Sequence, residues 1–436
     1  MGGDIVDLAL LLVVVLGVVL AAGLWVGFAL IVCGLVAMSF AEGVPAGSVL
    51  ATTAWSTNAS WTLAALPLFI WMGEILFRTR LSEELFRGIA PWVNRLPGRL
   101  VHVNVIACGI FGMVSGSSAA TTATISKIAL PELERRGYDR DIAIGSMAGS
   151  GTLGLLIPPS IIMIVYAVQA EVSLVQMFLA GLLPGLLVMT LYSGYIMLWA
   201  LLNPEKQPPR APGTSIMEKL RATASLAPTL VLIGLVLGAL VFGVATATEC
   251  AAFGVAGALV IAWRQHALTR ETFWRSVMGA MRTSVMIMLI LSGAAFMSAA
   301  MAYTRIPFAV AEAVSAMQLS PYMLIVVLMV FYIILGMFLD GISMIVLTTA
   351  IVLPLVQKAG FDLIWFGIFV VLVVEMAQIS PPVGFNLFVL QSMTGRDSWA
   401  VARATMPFFF LLVAAVAFIT LFPQIALLLP RAAFPA

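Results

Sequence analysis

Serine and threonine hydroxyls, glycines and paired prolines are concentrated in two stretches of an otherwise very apolar sequence. Residues 112–122 read GMVSGSSAATT, and residues 157–160 read IPPS. Inside a membrane, a free backbone N–H or C=O is costly unless it lines a cavity or contacts protein. The two stretches therefore predict a helical turn and a broken helix that form a binding site at membrane depth.

The chemistry that such residues offer is coordination of a hard monovalent cation such as Na⁺. A broken helix leaves free carbonyls at one half-helix end, and these favour cations, while the N–H end favours anions. Hydroxyls and unwound carbonyls supply further oxygen ligands without fixed charge. The first predicted Na⁺ site consists of Ser115, Gly116, Ser117, Ser118, Gly154, Ile157 and Pro159, and the second of Asp340, Gly341, Thr348, Thr349, Ala377, Ser380 and Pro382. Small residues also permit close helix packing, and that purely structural interpretation stays open.

Asp340 is the most informative single residue of this set. An ionisable side chain at a turn within the membrane is costly and is usually functional. Asp340 is expected to bind a cation or to gate protons. Lys127 lies about two helical turns from the first turn and is expected to extend toward the membrane surface. Glu375 falls in an apolar segment, and the sequence assigns it no role.

The elements that must position these residues occur twice. Pro131 and Pro354, Gly137 and Gly360, Pro158 and Pro381, and Pro184 and Pro407 are each separated by the same interval (354−131, 360−137, 381−158 and 407−184 all equal 223). Duplicated units with broken helices are typical of secondary transporters.

Composition places the chain in a membrane. Hydrophobic residues make up 62% and charged residues 10% of the sequence, with a mean hydropathy of +1.10. A soluble protein of this size has a larger fraction of charged residues, so we expect a polytopic membrane protein. The net charge of +2 gives no indication of a nucleic-acid partner. The three cysteines lie in apolar runs and do not suggest disulfides.

We expect an all-α fold with four parts. Residues 1–61 form N-terminal scaffold spans, and residues 41–61 are small and polar. Residues 62–202 form the first repeat, with a re-entrant hairpin at 100–135 and a broken helix at 142–168. Residues 203–276 are linker and connecting spans. Residues 277–430 form the second repeat, with a hairpin at 322–358, a broken helix at 361–390, and flanking spans at 283–303 and 408–429. Residues 81–96 are predicted to form an amphipathic helix, lying either on the membrane surface or in an ordinary solvated loop.

The distribution of Lys and Arg predicts the orientation. Residues 78–99 contain five arginines and residues 264–282 contain four, whereas the loops around Glu42, Glu171 and Glu249 contain neither Lys nor Arg. The basic segments are therefore expected in the cytoplasm. The first hairpin then enters from the cytoplasm and the second from outside, so the two repeats are inverted.

Four motifs resemble those of the large membrane subunit of tripartite ATP-independent periplasmic (TRAP) transporters. They read GSSAAT from Gly116, ALPELERRGY from Ala129, GTLGLLIPPS from Gly151 and GMFLDG from Gly336. The resemblance covers nearly the whole chain. It implies a Na⁺-coupled, elevator-type importer in the bacterial inner membrane, with Na⁺ as coupling ion and no other cofactor.

The resemblance also implies partners and a substrate class. The partners are a separate small four-helix membrane subunit and a soluble periplasmic binding protein. The solute is a small carboxylate-bearing molecule, such as a C4-dicarboxylate or a sialic or sugar acid, and Ser115, Ser160 and Asp340 are the predicted substrate-binding residues. The alternative is a stand-alone H⁺- or Na⁺-coupled organic anion symporter or exchanger. An intramembrane hydrolase is a remote alternative, because a serine nucleophile needs a positioned base and His102 lies at the far end of its half-hairpin.

Overall fold

The computed structural model describes residues 2–40, 43–209, 215–304, 306–381 and 384–434, and these ranges are helical without a β-strand. This confirms the expected all-α fold with apolar and broken helices. A short 3₁₀ turn covers Pro204–Lys206. The α-helices are Gly2–Ala21, Val26–Ser39, Ala46–Asn58, Trp61–Phe77, Leu81–Val93, Val101–Ser115, Ser118–Arg135, Arg140–Leu156, Ile161–Gln169, Leu174–Leu202, Ile216–Ala224, Ala227–Val241, Ala247–Arg264, Arg270–Thr304, Ile306–Ala316, Pro321–Gly336, Gly341–Lys358, Leu363–Gln378, Phe385–Thr394, Ser398–Leu421 and Gln424–Ala433.

Eight of these helices form four elements that carry the predicted sites. The first hairpin is Val101–Ser115 with Ser118–Arg135, and the first broken helix is Arg140–Leu156 with Ile161–Gln169. The second hairpin is Pro321–Gly336 with Gly341–Lys358, and the second broken helix is Leu363–Gln378 with Phe385–Thr394. The two halves of the first broken helix are bent by 44°.

Membrane spans can be recognised by length and composition. Within the described ranges, five helices are long and apolar enough to cross a bilayer, or up to eight if each bent pair counts as one span. Several shorter apolar helices accompany them, including the first arm of each hairpin and the first half of the second broken helix. The protein is therefore a multi-pass membrane protein.

The two units exchange contacts at their centre. The second helix of the first hairpin packs against the second half of the second broken helix, and the second helix of the second hairpin packs against the second half of the first broken helix. Asn386 donates a hydrogen bond to Ser118 at 2.7 Å in the first of these contacts. In the second, a Cβ on Gly341 would lie 2.6 Å from the Ile162 side chain. Reciprocal packing of this kind is what duplicated units produce.

Two expected spans have different boundaries. The helix expected at 283–303 is part of Arg270–Thr304, a single helix of 35 residues. Its basic first turns remain helical, and Glu271 pairs with Arg275 across one turn. The span expected at 408–429 ends at Leu421, and Gln424–Ala433 is a separate helix. The helix ends here because Pro423 follows, and the residue before a proline is disfavoured in helical geometry.

Two helices had no counterpart in the sequence prediction. Ala46–Asn58 is helical although its sequence is small and polar, and its hydroxyls bond to carbonyls of the preceding turn, as Thr53 does to Val49 at 2.7 Å, instead of competing for backbone N–H groups. Ile216–Ala224 begins with a capping box in which Ser215 and Glu218 bond to each other's backbone N–H groups. Because the capping box lies only three residues beyond a proline-rich linker, the sequence prediction does not include a helix there.

The amphipathic helix predicted at 81–96 is Leu81–Val93, and protein covers its apolar face. Leu85 and Ile89 are buried, and the helix packs against the first hairpin and Ile216–Ala224. Trp92 is exposed and donates to the Thr223 hydroxyl at 2.8 Å. The helix thus connects the base of the first hairpin to the linker between the units.

Candidate functional site

The turn of the first hairpin is built from glycine and serine. Helix Val101–Ser115 ends at Gly116, whose φ of +57° is the left-handed conformation that glycine adopts readily. Ser117 then accepts a hydrogen bond from the Ala120 N–H and caps the next helix. The Ser115 and Thr121 hydroxyls lie 2.6 Å apart across the turn. Several oxygens therefore converge at this turn.

The turn packs directly against the first broken helix through glycines. A Cβ on Gly154 would lie 2.6 Å from the Thr121 hydroxyl and 2.8 Å from the Ser117 carbonyl oxygen. A Cβ on Gly112 would lie 2.7 Å from Gly154 Cα. The absence of side chains at these positions thus brings hydroxyl and carbonyl oxygens of the turn to the last helical turn before the break.

The break itself releases carbonyl oxygens. In a continuous helix the carbonyls of Gly154 and Leu155 would accept from residues 158 and 159, but both are prolines without an N–H. Ile157 makes the last such bond, donating to Leu153 at 3.2 Å. The Ser160 hydroxyl is buried beyond the break and has no hydrogen-bond partner within the described ranges. The first predicted Na⁺ site is thus divided between the turn, with Ser115, Gly116, Ser117 and Ser118, and the break, with Gly154, Ile157 and Pro159, and Gly154 is the residue seen in contact with the turn.

The second hairpin turns at residues 337–340, and Asp340 has a structural task there. Its carboxylate accepts from the N–H groups of Ile342 and Ser343 at 3.1 and 3.2 Å, and from the Ser343 hydroxyl. Asp340 is therefore the N-cap of helix Gly341–Lys358. It is exposed and lines a cavity of about 780 Å³ together with Arg282. The carboxylate thus borders the cavity, and it also caps its own helix.

The other residues of the second predicted site divide into two groups. Ala377 is in contact range of the hairpin, since a Cβ on Gly336 would lie 2.4 Å from the Ala377 Cβ, and Ser380 donates to the Ala377 carbonyl at 3.1 Å. Thr348 and Thr349 lie about two turns beyond the hairpin turn. Their hydroxyls bond to carbonyls of their own helix. Pro382 lies outside the described residues.

The three predicted substrate residues are not joined by any hydrogen bond in the described ranges. Ser115 is half-buried and bonded to Thr121, Ser160 is fully buried, and Asp340 faces the cavity with Arg282. Lys127 is exposed and lines a different cavity, of about 340 Å³, near Arg396 at the base of the first hairpin.

The sequence prediction missed the residues at the crossing of the two units. Asn386 bonds to Ser118, and Glu375 lies fully buried beside Ser118 and the Leu155 backbone. A carboxylate within an apolar run was the available signal for Glu375. No sequence signal linked it to Ser118, because the two are brought together only by the contact between units.

Comparison with known proteins agrees with this architecture. A profile described as tripartite ATP-independent periplasmic transporter, DctM component, matches residues 13–425. The C4-dicarboxylate TRAP transporter large permease protein DctM of Pseudomonas aeruginosa is 32% identical over 383 residues, which cover 88% of this chain and 89% of that protein. The ectoine/5-hydroxyectoine TRAP transporter large permease protein UehC of Ruegeria pomeroyi is 30% identical over 376 residues, covering 86% and 87%.

The fold is also similar to that of a solved transporter. The crystal structure of the Alcanivorax borkumensis YdaH transporter aligns with a TM-score of 0.58 and 12% identity over 88% of this chain and 87% of that chain. The sequence relatives are transporter permeases, not enzymes. With the family profile extending across almost the entire sequence, the chain belongs to the DctM family of large permease subunits of TRAP transporters.

Proposed function

We propose that this chain is the large subunit of a Na⁺-coupled importer of a small carboxylate-bearing solute in the bacterial inner membrane. The observation that carries the proposal is the contact between the first hairpin turn and the first break. There, hydroxyl and carbonyl oxygens of the turn meet the helix end whose Gly154 and Leu155 carbonyls are freed by Pro158 and Pro159. Such an oxygen set suits Na⁺.

The substrate class rests on the relatives' names. They include permeases for C4-dicarboxylate, ectoine and 2,3-diketo-L-gulonate. We propose a carboxylate-bearing solute as the class for this chain, with the exposed Asp340 and Arg282 cavity as one candidate region for charged groups of the solute or ion.

Two partners are part of the proposal. The isethionate TRAP transporter permease protein DctMQ of Oleidesulfovibrio alaskensis is 29% identical to this chain, which covers only 63% of that longer protein. We propose that this chain works together with a small four-helix membrane subunit. A soluble periplasmic binding protein would deliver the solute, and the two hairpins with their broken helices would move together as an elevator.

Reconstitution tests the proposal. Proteoliposomes containing the chain and its small subunit, supplied with the binding protein, are expected to accumulate solute only with an inward Na⁺ gradient. Replacing Na⁺ by K⁺ should abolish uptake, as should omission of the binding protein. Uptake that persists without Na⁺ would contradict the coupling, and uptake by the purified single chain would favour a stand-alone symporter.

A further inference from the structure

Glu375 is a buried acid that the proposed mechanism has not used. It lies in the second broken helix, is 0% exposed, and is the one buried acidic side chain within the described ranges. Neither of its carboxylate oxygens has a hydrogen-bond partner of acceptable geometry among the described residues. Leaving two polar atoms buried and unpaired is costly, so a compensating partner is expected at this position.

The neighbours of Glu375 are neutral oxygen-bearing groups from both units. The Ser118 hydroxyl on the first hairpin and the backbone of Leu155 just before the first break lie beside its carboxylate. Ser118 accepts from the Asn386 amide at 2.7 Å, and the Asn386 side-chain oxygen is itself buried and unpaired in the described ranges. The two carboxylate oxygens of Glu375 and the amide oxygen of Asn386, all unpaired in the described ranges, thus belong to side chains next to the same serine.

The charged groups of the surrounding helices lie elsewhere. Arg140 and Asp141 begin the first broken helix, Lys358 ends the second hairpin, and Arg403 lines a cavity with Asp141. Arg431 lies 3.8 Å from Asp362, at the far end of the second broken helix from Glu375. The buried phenol of Tyr192 is a titratable group in the vicinity of Glu375, and its hydroxyl lies 3.3 Å from the Thr152 hydroxyl. No described cationic side chain neutralises Glu375.

The repeat makes this carboxylate asymmetric. The position equivalent to Glu375 in the first unit is Thr152 (375−223 = 152), whose hydroxyl bonds to the Gly149 carbonyl at 2.6 Å. The fixed charge thus occurs in one unit only, whereas the breaks and turns occur in both. A charge without a counterpart is not required by the shared architecture of the repeats.

We propose that Glu375, Ser118 and Asn386 form a further cation site at the crossing of the two units, and that its occupant is a single Na⁺. One carboxylate neutralises a monovalent ion in an apolar interior, whereas a divalent ion would retain a net charge. The cation would satisfy both Glu375 oxygens and the Asn386 oxygen together. This inference rests on the proposed Na⁺ coupling, and it adds a carboxylate-centred site beside the first predicted site, with which it shares Ser118.

Equilibrium binding of radioactive Na⁺ to the purified full chain in lipid nanodiscs tests the site directly. The Glu375→Gln variant keeps the side-chain volume and removes the charge, and it is expected to bind one Na⁺ fewer than the wild-type chain. Glu171→Gln is the matched control, because it makes the same chemical change at an exposed loop residue and should leave the number unchanged. An unchanged number and affinity in Glu375→Gln would overturn the inference.

A second variant covers the case in which Glu375→Gln does not fold. Glu375→Asp retains the charge, but its carboxylate lies one methylene closer to the backbone. We therefore expect the variant to bind the same number of Na⁺ ions as the wild-type chain, with an affinity weakened by about tenfold. Wild-type affinity in Glu375→Asp would show that the carboxylate does not coordinate the ion.

The same measurement separates this inference from the proposed function. If Glu375→Gln binds as many ions as the wild-type chain while a Pro158→Ala, Pro159→Ala variant loses Na⁺, the sites at the breaks stand and the Glu375 site falls. If the wild-type chain binds no Na⁺, the coupling proposal falls and the Glu375 site falls with it.

Discussion

At the scale of single residues, the first site depends on glycines, which have no side chain. Gly154 and Gly112 allow the first hairpin turn to touch the first broken helix backbone to backbone. The hydroxyls of Ser115 and Thr121 are then held at the contact instead of one helix diameter away. Close approach is a condition for oxygen atoms from two separate elements to share one small ion.

Gly154→Ala should therefore disable the first site. The new Cβ would meet the Ser117 carbonyl oxygen at 2.8 Å, and this backbone atom cannot rotate away. We expect a loss of about 1–3 kcal/mol in stability from overpacking, together with weaker Na⁺ activation of uptake. Gly194→Ala is the control, because nothing lies within 4 Å of its added Cβ. Thermal unfolding with and without Na⁺ measures both variants, and equal Na⁺ responses would contradict the role of the contact.

Asp340 requires a pair of variants because it caps a helix. Asn is as good an N-cap as Asp, so Asp340→Asn should keep stability while removing the charge, and uptake is expected to fall sharply. Asp340→Ala should lose uptake and, in addition, about 1 kcal/mol of stability. If a stable Asp340→Asn variant takes up solute at the wild-type rate, Asp340 acts only as a helix cap and its charge has no role in transport.

At the scale of elements, the two breaks share a proline pair but differ in the hydrogen bonds described around it. The first uses Pro158 and Pro159 to leave the carbonyls of Gly154 and Leu155 without donors. At the second, Ser380 and Gly384 still form bonds, with the Ser380 N–H donating to Ala377 at 3.3 Å and the Gly384 N–H donating to Ser380 at 3.0 Å. The two sites are thus not copies of each other in their available oxygens.

Replacing both Pro158 and Pro159 by Ala restores two backbone donors. We expect the first broken helix to become more continuous, gaining about 1 kcal/mol for each hydrogen bond formed, and the Na⁺ concentration for half-maximal uptake to rise. Pro67→Ala, within helix Trp61–Phe77, makes the same substitution away from the breaks. An unchanged Na⁺ dependence in the double variant would mean that the break serves packing alone.

The sequence was informative where local chemistry sets the structure. The turns at Gly116 and Asp340 and the break at Pro158 follow from residues that end or cap helices by themselves. Glu375 and Asn386 were not recognised as site residues because their importance arises from contacts between units. The helices Ala46–Asn58 and Ile216–Ala224 were missed because their polar composition resembles that of loops.

At the scale of the whole molecule, the reciprocal contacts between units suggest which parts move together. The proposed elevator requires the first hairpin and the first broken helix to travel as one body, past helix Trp61–Phe77. Native Cys108 on the hairpin lies 3.9 Å from the Met147 sulfur on the broken helix. Phe111 on the same hairpin instead packs on Phe77, with ring centroids 6.4 Å apart.

Mercury cross-links at these two contacts should have opposite effects. Bridging Cys108 to a Met147→Cys variant ties together parts that move as one, and uptake is expected to survive. Bridging Phe77→Cys to Phe111→Cys in a Cys108→Ala background ties the moving body to its surroundings, and uptake should stop until a thiol removes the mercury. Continued uptake with the second bridge in place would contradict the elevator.

Helix Arg270–Thr304 has a consequence for where the cavity beside Asp340 opens. Its 35 residues extend about 52 Å, whereas the hydrocarbon layer is about 30 Å thick. The apolar part beyond Arg282 already fills that thickness, so the three arginines at positions 270, 275 and 282 belong among the lipid headgroups. The cavity lined by Arg282 and Asp340 would then have one end at the edge of the bilayer and extend from there toward the turn of the second hairpin, so that water and salt on that side could enter it in this conformation.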